Sequence, residues 1–174
     1  MINLVQVIQQ AGISPAETIA DFGAGSGFIA MELAKAVGPN GKVYAIDILE
    51  DPLDALESRA KTEKFFQIET IKSDLEKTNG STLEPNSCDW VLVANLLFQI
   101  ENPETIIKEA NRILKPGGKI LAIEWLPEKL ISQQGHFFHQ PDEIKKILTA
   151  NNFIPVKELK PSQSHYGLIF QKQA

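Results

Sequence analysis

The stretch Ile19–Phe28 constrains this chain more than any other, because an apolar run that ends in an acid opens into a glycine-rich turn. Glycines stand at alternate positions, 23, 25 and 27, where they permit backbone conformations and close contacts that a Cβ would block. The residues from about 26 to 37 predict a helix whose first unpaired N–H groups point back toward the turn. Such a turn lets the backbone approach a ligand, and a nucleotide-like molecule is its natural occupant.

This turn differs from the dinucleotide-binding fingerprint. Phe28 stands where that fingerprint requires its third small residue. Asp21 precedes the first glycine, and a carboxylate there would repel a pyrophosphate but attract an ammonium group. We therefore expect a ligand that has a positive group and lacks a diphosphate, which argues against a nicotinamide-dependent oxidoreductase.

Further apolar strands alternate with helices along the chain. Residues 42–47 predict a second strand that ends in an acid, and a third strand near 66–71 leads to Asp74. A fourth strand over 87–95 is led by Asp89, which we expect to face solvent or cap the strand. Alternating strands and helices predict a parallel sheet with helices on both faces and a ligand at the carboxyl ends of its strands. The remaining predicted elements are a helix over 103–114, a strand over 120–125, a helix led by Pro141, and a closing hairpin of strands 153–159 and 166–171.

A Leu-Lys-Pro-Gly-Gly segment follows the helix that ends near residue 114. Proline and two glycines are typical of a turn that stops a helix and reverses the chain. We therefore predict that Gly117 and Gly118 serve the architecture rather than the chemistry.

Together these segments resemble the class I S-adenosylmethionine-dependent methyltransferases along nearly the whole chain. Residues 21–27 resemble the family's first motif, residues 87–95 its fourth, and the Leu-Lys-Pro-Gly-Gly turn is one of its signatures. Segment 94–98 most resembles the ubiquinone and menaquinone biosynthesis-like branch, which methylates small molecules at carbon or oxygen. The resemblance implies a Rossmann-like, doubly wound α/β fold with a seven-stranded sheet, mostly parallel with an antiparallel last strand.

The resemblance also implies S-adenosylmethionine as cofactor and S-adenosylhomocysteine as product. Asp47 would hold both ribose hydroxyls, Asp74 would recognise the adenine edge, and Asn95 would line the methionine end. Simpler roles stay open: Asp21 could cap the turn's amides, and the other three could be turn or cap residues. The predicted cofactor-binding residues are Asp21, Phe22, Gly23, Ala24, Gly25, Gly27, Asp47, Ile48, Asp74, Leu75, Ala94 and Asn95.

The acceptor side is harder to predict. If the sixth strand runs parallel to the others, the start of the seventh lies on the ligand side and brings His165 and Tyr166 toward the pocket rim. No catalytic residue is assigned; those two and His139 are the candidates, with an exposed hairpin position as the alternative for His165. Two histidines spaced as His-x-x-His lack a third ligand, so no metal site is expected. The predicted substrate contacts are Phe98, Trp125, His136 and Phe138, with core or lid packing as their alternative.

The resemblance implies transfer of a methyl group to a small-molecule acceptor by in-line displacement. Family members that methylate base amines or amides carry an Asn-Pro-Pro-Tyr type turn, whereas Asn95 is followed here by Leu-Leu-Phe. Carbon or oxygen is therefore the expected acceptor atom. The alternatives are a non-catalytic cofactor-binding partner or regulatory subunit and, third, a protein or RNA methyltransferase.

Composition sets further limits on the class of protein. The 174 residues, 43% of them hydrophobic, predict a single domain over 1–174 with a short amphipathic helix within 1–14. A net charge of −5 and two arginines make nucleic acid an improbable partner. A lone cysteine, Cys88, fits a cytoplasmic location, and no segment is apolar enough for a membrane span. Little chain precedes Ser14 to form a lid, so the acceptor site is expected to be open or completed by a homodimer or partner subunit.

Overall fold

The computed structural model describes residues 2–129, 136–137 and 139–174. Within these ranges, seven strands form one sheet that is flanked by five α-helices. The predicted substrate contact Phe138 lies outside the described residues. The elements are α1 (Leu4–Ala11), β1 (Thr18–Phe22), α2 (Phe28–Val37), β2 (Lys42–Asp47), α3 (Glu50–Thr62), β3 (Ile68–Lys72), β4 (Cys88–Ala94), α4 (Pro103–Ile113), β5 (Leu114–Trp125), α5 (Pro141–Ala150), β6 (Phe153–Ser162) and β7 (His165–Lys172), with single 3-10 turns at Leu97–Gln99 and Pro127–Lys129.

The strand order is β3-β2-β1-β4-β5-β7-β6. Strands β1 to β5 run parallel, and β7 is antiparallel to both β5 and β6. This arrangement confirms the predicted Rossmann-like sheet with its antiparallel last strand. The order reverses between β1 and β4, which is where open α/β sheets bind their ligands.

Helices cover both faces, as predicted. On one face α1, α2 and α3 pack against residues such as Ile19, Val43 and Leu121. On the other, α4 and α5 pack against residues such as Phe22 and Val91. Each central strand therefore places successive side chains into opposite cores, as the period of two in a strand requires. None of the helices in the described ranges has both the length and the apolar character needed to cross a membrane.

Some boundaries differ from the sequence prediction. Helix α2 begins at Phe28 because Gly27 takes a left-handed φ of 76° and serves as the N-cap. Strand β3 begins at Ile68, two residues later than predicted, and leaves the exposed Phe66 outside the sheet. The closing hairpin is longer than predicted because Ser162 still pairs with His165.

The Leu-Lys-Pro-Gly-Gly segment is the clearest correction. Helix α4 ends at Ile113, one residue before the predicted end, but the segment belongs to the start of β5 instead of forming a separate turn. Leu114 pairs with Cys88 and Lys119 pairs with Trp90, so the residues between them bulge out of the ladder. The segment therefore forms a bulge inside the strand instead of reversing the chain, and Gly117 adopts a φ of 77° there.

Candidate functional site

A cleft of about 190 Å³ lies at the carboxyl ends of β1 to β4. Half of the predicted cofactor-binding residues line it: Gly23, Asp47, Ile48, Asp74, Leu75 and Asn95. The other half are not among its lining residues: Asp21, Phe22, Ala24, Gly25, Gly27 and Ala94. These six belong to the glycine turn or to the buried strand ends beside it. The structure thus gathers residues from four separate segments around one opening.

The glycine turn is held to the second strand by its own amides. The N–H groups of Gly23 and Ala24 donate to the carbonyl oxygen of Ile46 at 2.8 and 3.0 Å. Gly27 approaches Leu56 so closely that a Cβ would lie 2.3 Å from its Cδ1 atom. Glycine at this position is required by both the left-handed backbone and the lack of space.

Two charged side chains support the turn from α3 and β2. Oδ2 of Asp47 accepts the N–H of Gly25 at 2.8 Å, and its Oδ1 accepts the N–H of Leu49 at 3.0 Å. From α3, Nη2 of Arg59 donates to the carbonyl oxygens of Ser26 and Gly27 at 3.2 and 3.0 Å. Arg59 was not predicted, because its contact with the turn joins residues more than 30 positions apart in sequence.

Asp21 is a buried acid with a free oxygen. Only 1% of it is exposed, and its Oδ2 has no hydrogen-bond partner among the residues that the structure describes. Burial raises the pKa of its carboxyl to about 7, and the nearby charge of Asp47 acts in the same direction. The turn amides of residues 23, 24, 25 and 27 donate to other acceptors. For those amides, the alternative that Asp21 caps the turn is wrong.

Asp74 and Asn95 face the cleft from opposite sides. Oδ1 of Asp74 accepts the N–H of Glu76 at 3.0 Å, so the capping role that the sequence left open is present alongside the exposure to the cleft. Asn95 follows β4 with a left-handed φ of 53°, and its Oδ1 is buried without a partner in the described part of the chain. An unpaired amide oxygen at a ligand cleft suits a donor group from outside the chain.

A second and smaller cavity lies on the α4–α5 side of the sheet, beyond the Leu97–Gln99 turn. It brings together four residues that the sequence singled out: Phe98, Trp125, His139 and Tyr166. Nε2 of His139 lies 2.8 Å from the carbonyl oxygen of Ile100, which fixes the imidazole against the turn. His136 packs edge-on against Phe98 with ring centroids 4.9 Å apart.

His165 lines neither cavity. Its ring lies 4.0 Å from that of Trp125, and its Nδ1 lies 2.9 Å from Oγ of Ser162. Only 6% of His165 is exposed, so the alternative of an exposed hairpin histidine is wrong. Burial lowers its pKa, which favours the neutral imidazole.

Glu124 is the residue of this region that the sequence prediction missed. Its Oε1 accepts the N–H groups of Leu96 and Leu97, both at 2.8 Å, and its Oε2 has no partner within the described ranges. It is 3% exposed, and burial raises the pKa of its carboxyl to about 7. A lone acid near the end of an otherwise apolar strand was the available signal, because such a charge is costly to bury without a function or a partner. Among the described side chains, no cluster of three or more histidine, cysteine or acidic residues could hold a metal ion.

Comparison with known proteins identifies the family. Residues 13–171 match a family model described as a methyltransferase domain, and the chain therefore belongs to this methyltransferase family. The demethylmenaquinone methyltransferase of Oceanobacillus iheyensis is 27% identical over 133 residues, which cover 76% of this chain and 55% of that protein. The Staphylococcus aureus enzyme of the same name is 30% identical over 119 residues, covering 68% and 47%. The chain thus spans about half the length of these curated relatives.

Solved structures show the same fold. A S-adenosylmethionine-dependent methyltransferase from Aquifex aeolicus superposes with a TM-score of 0.82 at 23% identity, covering 98% of this chain and 89% of that one. A putative methyltransferase from Bacillus halodurans gives 0.84 at 18% identity over 99% of both chains. The fold is that of the class I methyltransferases, and the cofactor of this family is S-adenosylmethionine.

Proposed function

We propose that this chain transfers a methyl group from S-adenosylmethionine to a carbon or oxygen atom of a small molecule. The observation that carries the proposal is the buried, unpartnered Oδ2 of Asp21 beside the glycine turn. A carboxylate in that position fits the ammonium group of the cofactor's methionine part and would repel a phosphate. When bound, S-adenosylmethionine supplies a methyl group on a sulfonium that is already activated for displacement.

The cleft residues have donors and acceptors that fit the rest of this cofactor. Each carboxylate oxygen of Asp47 already accepts a different backbone N–H, and each has a further lone pair for a ribose hydroxyl. Asp74 and Leu75 stand together where they would contact the adenine, and the free Oδ1 of Asn95 would accept from the methionine end. These residues bind and orient, which is the main task of a protein whose cofactor carries the reactive group.

Two observations support a small-molecule acceptor. The matching relatives are named for demethylmenaquinone, a small molecule. The second cavity is walled by Leu97, Phe98, Trp125 and Phe137, as expected for an acceptor with apolar parts. A cytoplasmic location, a single domain over the whole chain, and completion of the site by a second subunit stay predictions.

Calorimetric titration tests the proposal. Wild-type protein is titrated with S-adenosylmethionine, S-adenosylhomocysteine and 5′-methylthioadenosine, which lacks the amino-acid part. We expect Asp21→Asn to weaken the binding of S-adenosylmethionine and S-adenosylhomocysteine by about 10- to 100-fold, because a hydrogen bond to a charged group contributes about 1.5–3 kcal/mol. Binding of 5′-methylthioadenosine should stay unchanged. Asp54→Asn, the same substitution at an exposed position of α3, is the matched control.

Three results would count against the proposal. No binding of either cofactor form to the wild type would overturn it as a whole. If Asp21→Asn weakened the binding of 5′-methylthioadenosine as much as that of the two cofactor forms, the role given to Asp21 would be overturned. If the protein binds S-adenosylmethionine but forms no S-adenosylhomocysteine with any small acceptor, the non-catalytic cofactor-binding subunit would be favoured.

A further inference from the structure

Two residues that line the second cavity each carry a buried polar atom that belongs to no described hydrogen bond. Oε2 of Glu124 and Oη of Tyr166 have no partner among residues 2–129, 136–137 and 139–174, although the two residues are only 3% and 8% exposed. Glu124 and Tyr166 stand directly opposite each other in the pairing of β5 with β7. Buried polar atoms are nearly always bonded, so this pair indicates a ligand atom that can bond both.

The size and walls of the cavity limit that ligand atom. The cavity measures about 10 Å³, which is the space of about one water-sized oxygen. Aromatic rings from Phe98, Trp125 and Phe137 form much of its lining. A site with two polar partners, room for one oxygen and apolar walls fits a hydroxyl group at the end of a largely apolar molecule.

We propose that Glu124 and Tyr166 form a hydroxyl-binding subsite for the methyl acceptor, with Oε2 of Glu124 accepting the hydroxyl proton and Tyr166 donating to the hydroxyl oxygen. The subsite takes aromatic or enolic hydroxyl compounds, because their O–H groups are acidic enough to give a proton to a carboxylate. The inference rests on the proposed function, which makes the bound molecule the methyl acceptor.

In the proton transfer, the O–H bond of the acceptor breaks and a new O–H bond forms on Oε2 of Glu124. The electron pair stays on the acceptor oxygen, and Glu124 later returns the proton to water. A phenolate or enolate is nucleophilic at its oxygen and at a conjugated carbon. Glu124 acts as the general base and Tyr166 as a positioning residue.

The surroundings of Glu124 suit this task. Burial raises the pKa of its carboxyl to about 7, where it can both take up and release a proton near neutral pH. Tyr166 and His139 line the same cavity, and Glu143 on α5 lies 3.4 Å from Nδ1 of His139. Burial together with the charges of Glu124 and Glu143 raises the pKa of Tyr166, which therefore remains a hydrogen-bond donor.

A purely structural role for Glu124 can be separated from this one. Its Oε1 anchors Leu96 and Leu97, and the amide oxygen of a glutamine can accept the same two N–H groups. In Glu124→Gln the second position becomes an NH2 group, which donates but cannot accept. The substitution therefore keeps the anchor and removes the proton acceptor.

The experiment uses fluorine NMR titrations of the full chain with 4-fluorophenol and with fluorobenzene, which lacks the hydroxyl. We expect wild type to prefer 4-fluorophenol, and Glu124→Gln to reduce that preference by about tenfold, the effect of one well-placed hydrogen bond. Tyr166→Phe should weaken the binding of 4-fluorophenol and leave the binding of fluorobenzene unchanged. Glu128→Gln, an exposed acid just beyond β5, is the matched control.

A second readout follows the carboxyl group itself. In protein labelled with carboxyl-¹³C glutamate, the signal lost in Glu124→Gln belongs to Glu124, and saturating 4-fluorophenol should lower the pH midpoint of that signal. A hydrogen bond to the charged carboxylate stabilises it, whereas a merely structural residue would not respond.

The subsite would be overturned if wild type fails to bind 4-fluorophenol at millimolar concentration, or if both variants bind it as wild type does. An unchanged carboxyl midpoint with bound 4-fluorophenol would also overturn it. These measurements need neither cofactor nor turnover. Failure of the proposed function would appear instead as missing S-adenosylhomocysteine binding, so the two failures are distinguishable.

Discussion

Asp47 and Gly25 are joined directly beside the cleft, since Oδ2 of Asp47 accepts the backbone N–H of Gly25 at 2.8 Å. The other carboxylate oxygen accepts the N–H of Leu49 at 3.0 Å. The acid at the end of β2 thus fixes the glycine turn and the chain leading into α3. Its predicted ribose role comes in addition to a structural one.

Asp47→Ala should therefore affect stability as well as binding. Loss of two hydrogen bonds to a charged group predicts a decrease of about 1–3 kcal/mol in the free energy of unfolding, discounted for partial exposure. S-adenosylhomocysteine binding should weaken by more than about tenfold. Urea denaturation and calorimetry measure the two effects, with Asp54→Ala on α3 as the exposed control. Lost binding at unchanged stability would contradict the structural part of this account.

The raised pKa of Asp21 predicts that stability falls as pH rises. Its folded value of about 7 lies above the ordinary value of 3.8, so the folded state holds more protons than the unfolded state between these limits. The free energy of unfolding should decrease across this window by up to about 1.4 kcal/mol per pH unit for such a group. Glu124, also raised to about 7, contributes a similar slope.

Asp21→Asn should remove one of these two contributions and flatten the curve, which urea denaturation at several pH values between about 4 and 8 will measure. The cofactor-free variant should be more stable than wild type at pH 8 although it binds S-adenosylhomocysteine more weakly. Wild-type affinity for S-adenosylhomocysteine should rise through about pH 7 as Asp21 ionises. Parallel stability curves for wild type and variant would contradict the assignment.

Gly27 and Gly12 form a matched pair for testing the close approach at the turn. Both have a left-handed φ, 76° and 81°, but a Cβ on Gly27 would meet Leu56 whereas Gly12 has open space around it. Gly12→Ala should cost about 1–2 kcal/mol of stability from the backbone alone. Gly27→Ala should cost about 1–3 kcal/mol more, because it also overpacks the core. Thermal or urea unfolding measures the stability of both variants. Equal losses in Gly12→Ala and Gly27→Ala would show that Leu56 moves aside freely.

The fold could be predicted because its signals are local. The alternation of apolar strands and helices and the acid-led glycine turn lie in continuous stretches, and the observed strands and helices follow one another along the chain in the predicted order. The bulge in β5 was not predicted, since a Pro-Gly-Gly sequence has the same composition in a turn as in a bulged strand. Its pairing with β4 is a tertiary property.

The part of the site that depends on local sequence could also be predicted. Asp47 follows the glycines at a typical spacing, so its place at the cleft could be read from the chain. The roles of Arg59 and Glu124 depend on backbone groups about 30 residues away. The lone acid in an apolar strand marks Glu124 as unusual, but no local pattern identifies the backbone groups that either side chain contacts. His165 is buried by Trp125 from the neighbouring strand, which a single hairpin sequence does not reveal.

Glu124 offers a last test, because its alanine and glutamine variants separate the anchor from the charge. Glu124→Ala leaves the N–H groups of Leu96 and Leu97 without their acceptor, and a buried unpaired donor costs about 1–3 kcal/mol each. We therefore expect a loss of about 2–5 kcal/mol for alanine near pH 5, with some cavity cost included. The loss relative to wild type should be smaller at pH 8, because alanine also removes the buried charge that destabilises wild type there.

Glu124→Gln should behave differently, since its amide oxygen keeps both bonds. The wild-type carboxyl is ionised in a buried position above about pH 7, which disfavours the folded state there. The glutamine variant should therefore be close to wild type near pH 5 and more stable than wild type at pH 8. Urea denaturation at both values measures this crossover. If glutamine destabilised as much as alanine, the carboxylate charge itself would be holding the Leu97–Gln99 turn, and the hydrogen-bond account of the anchor would be wrong.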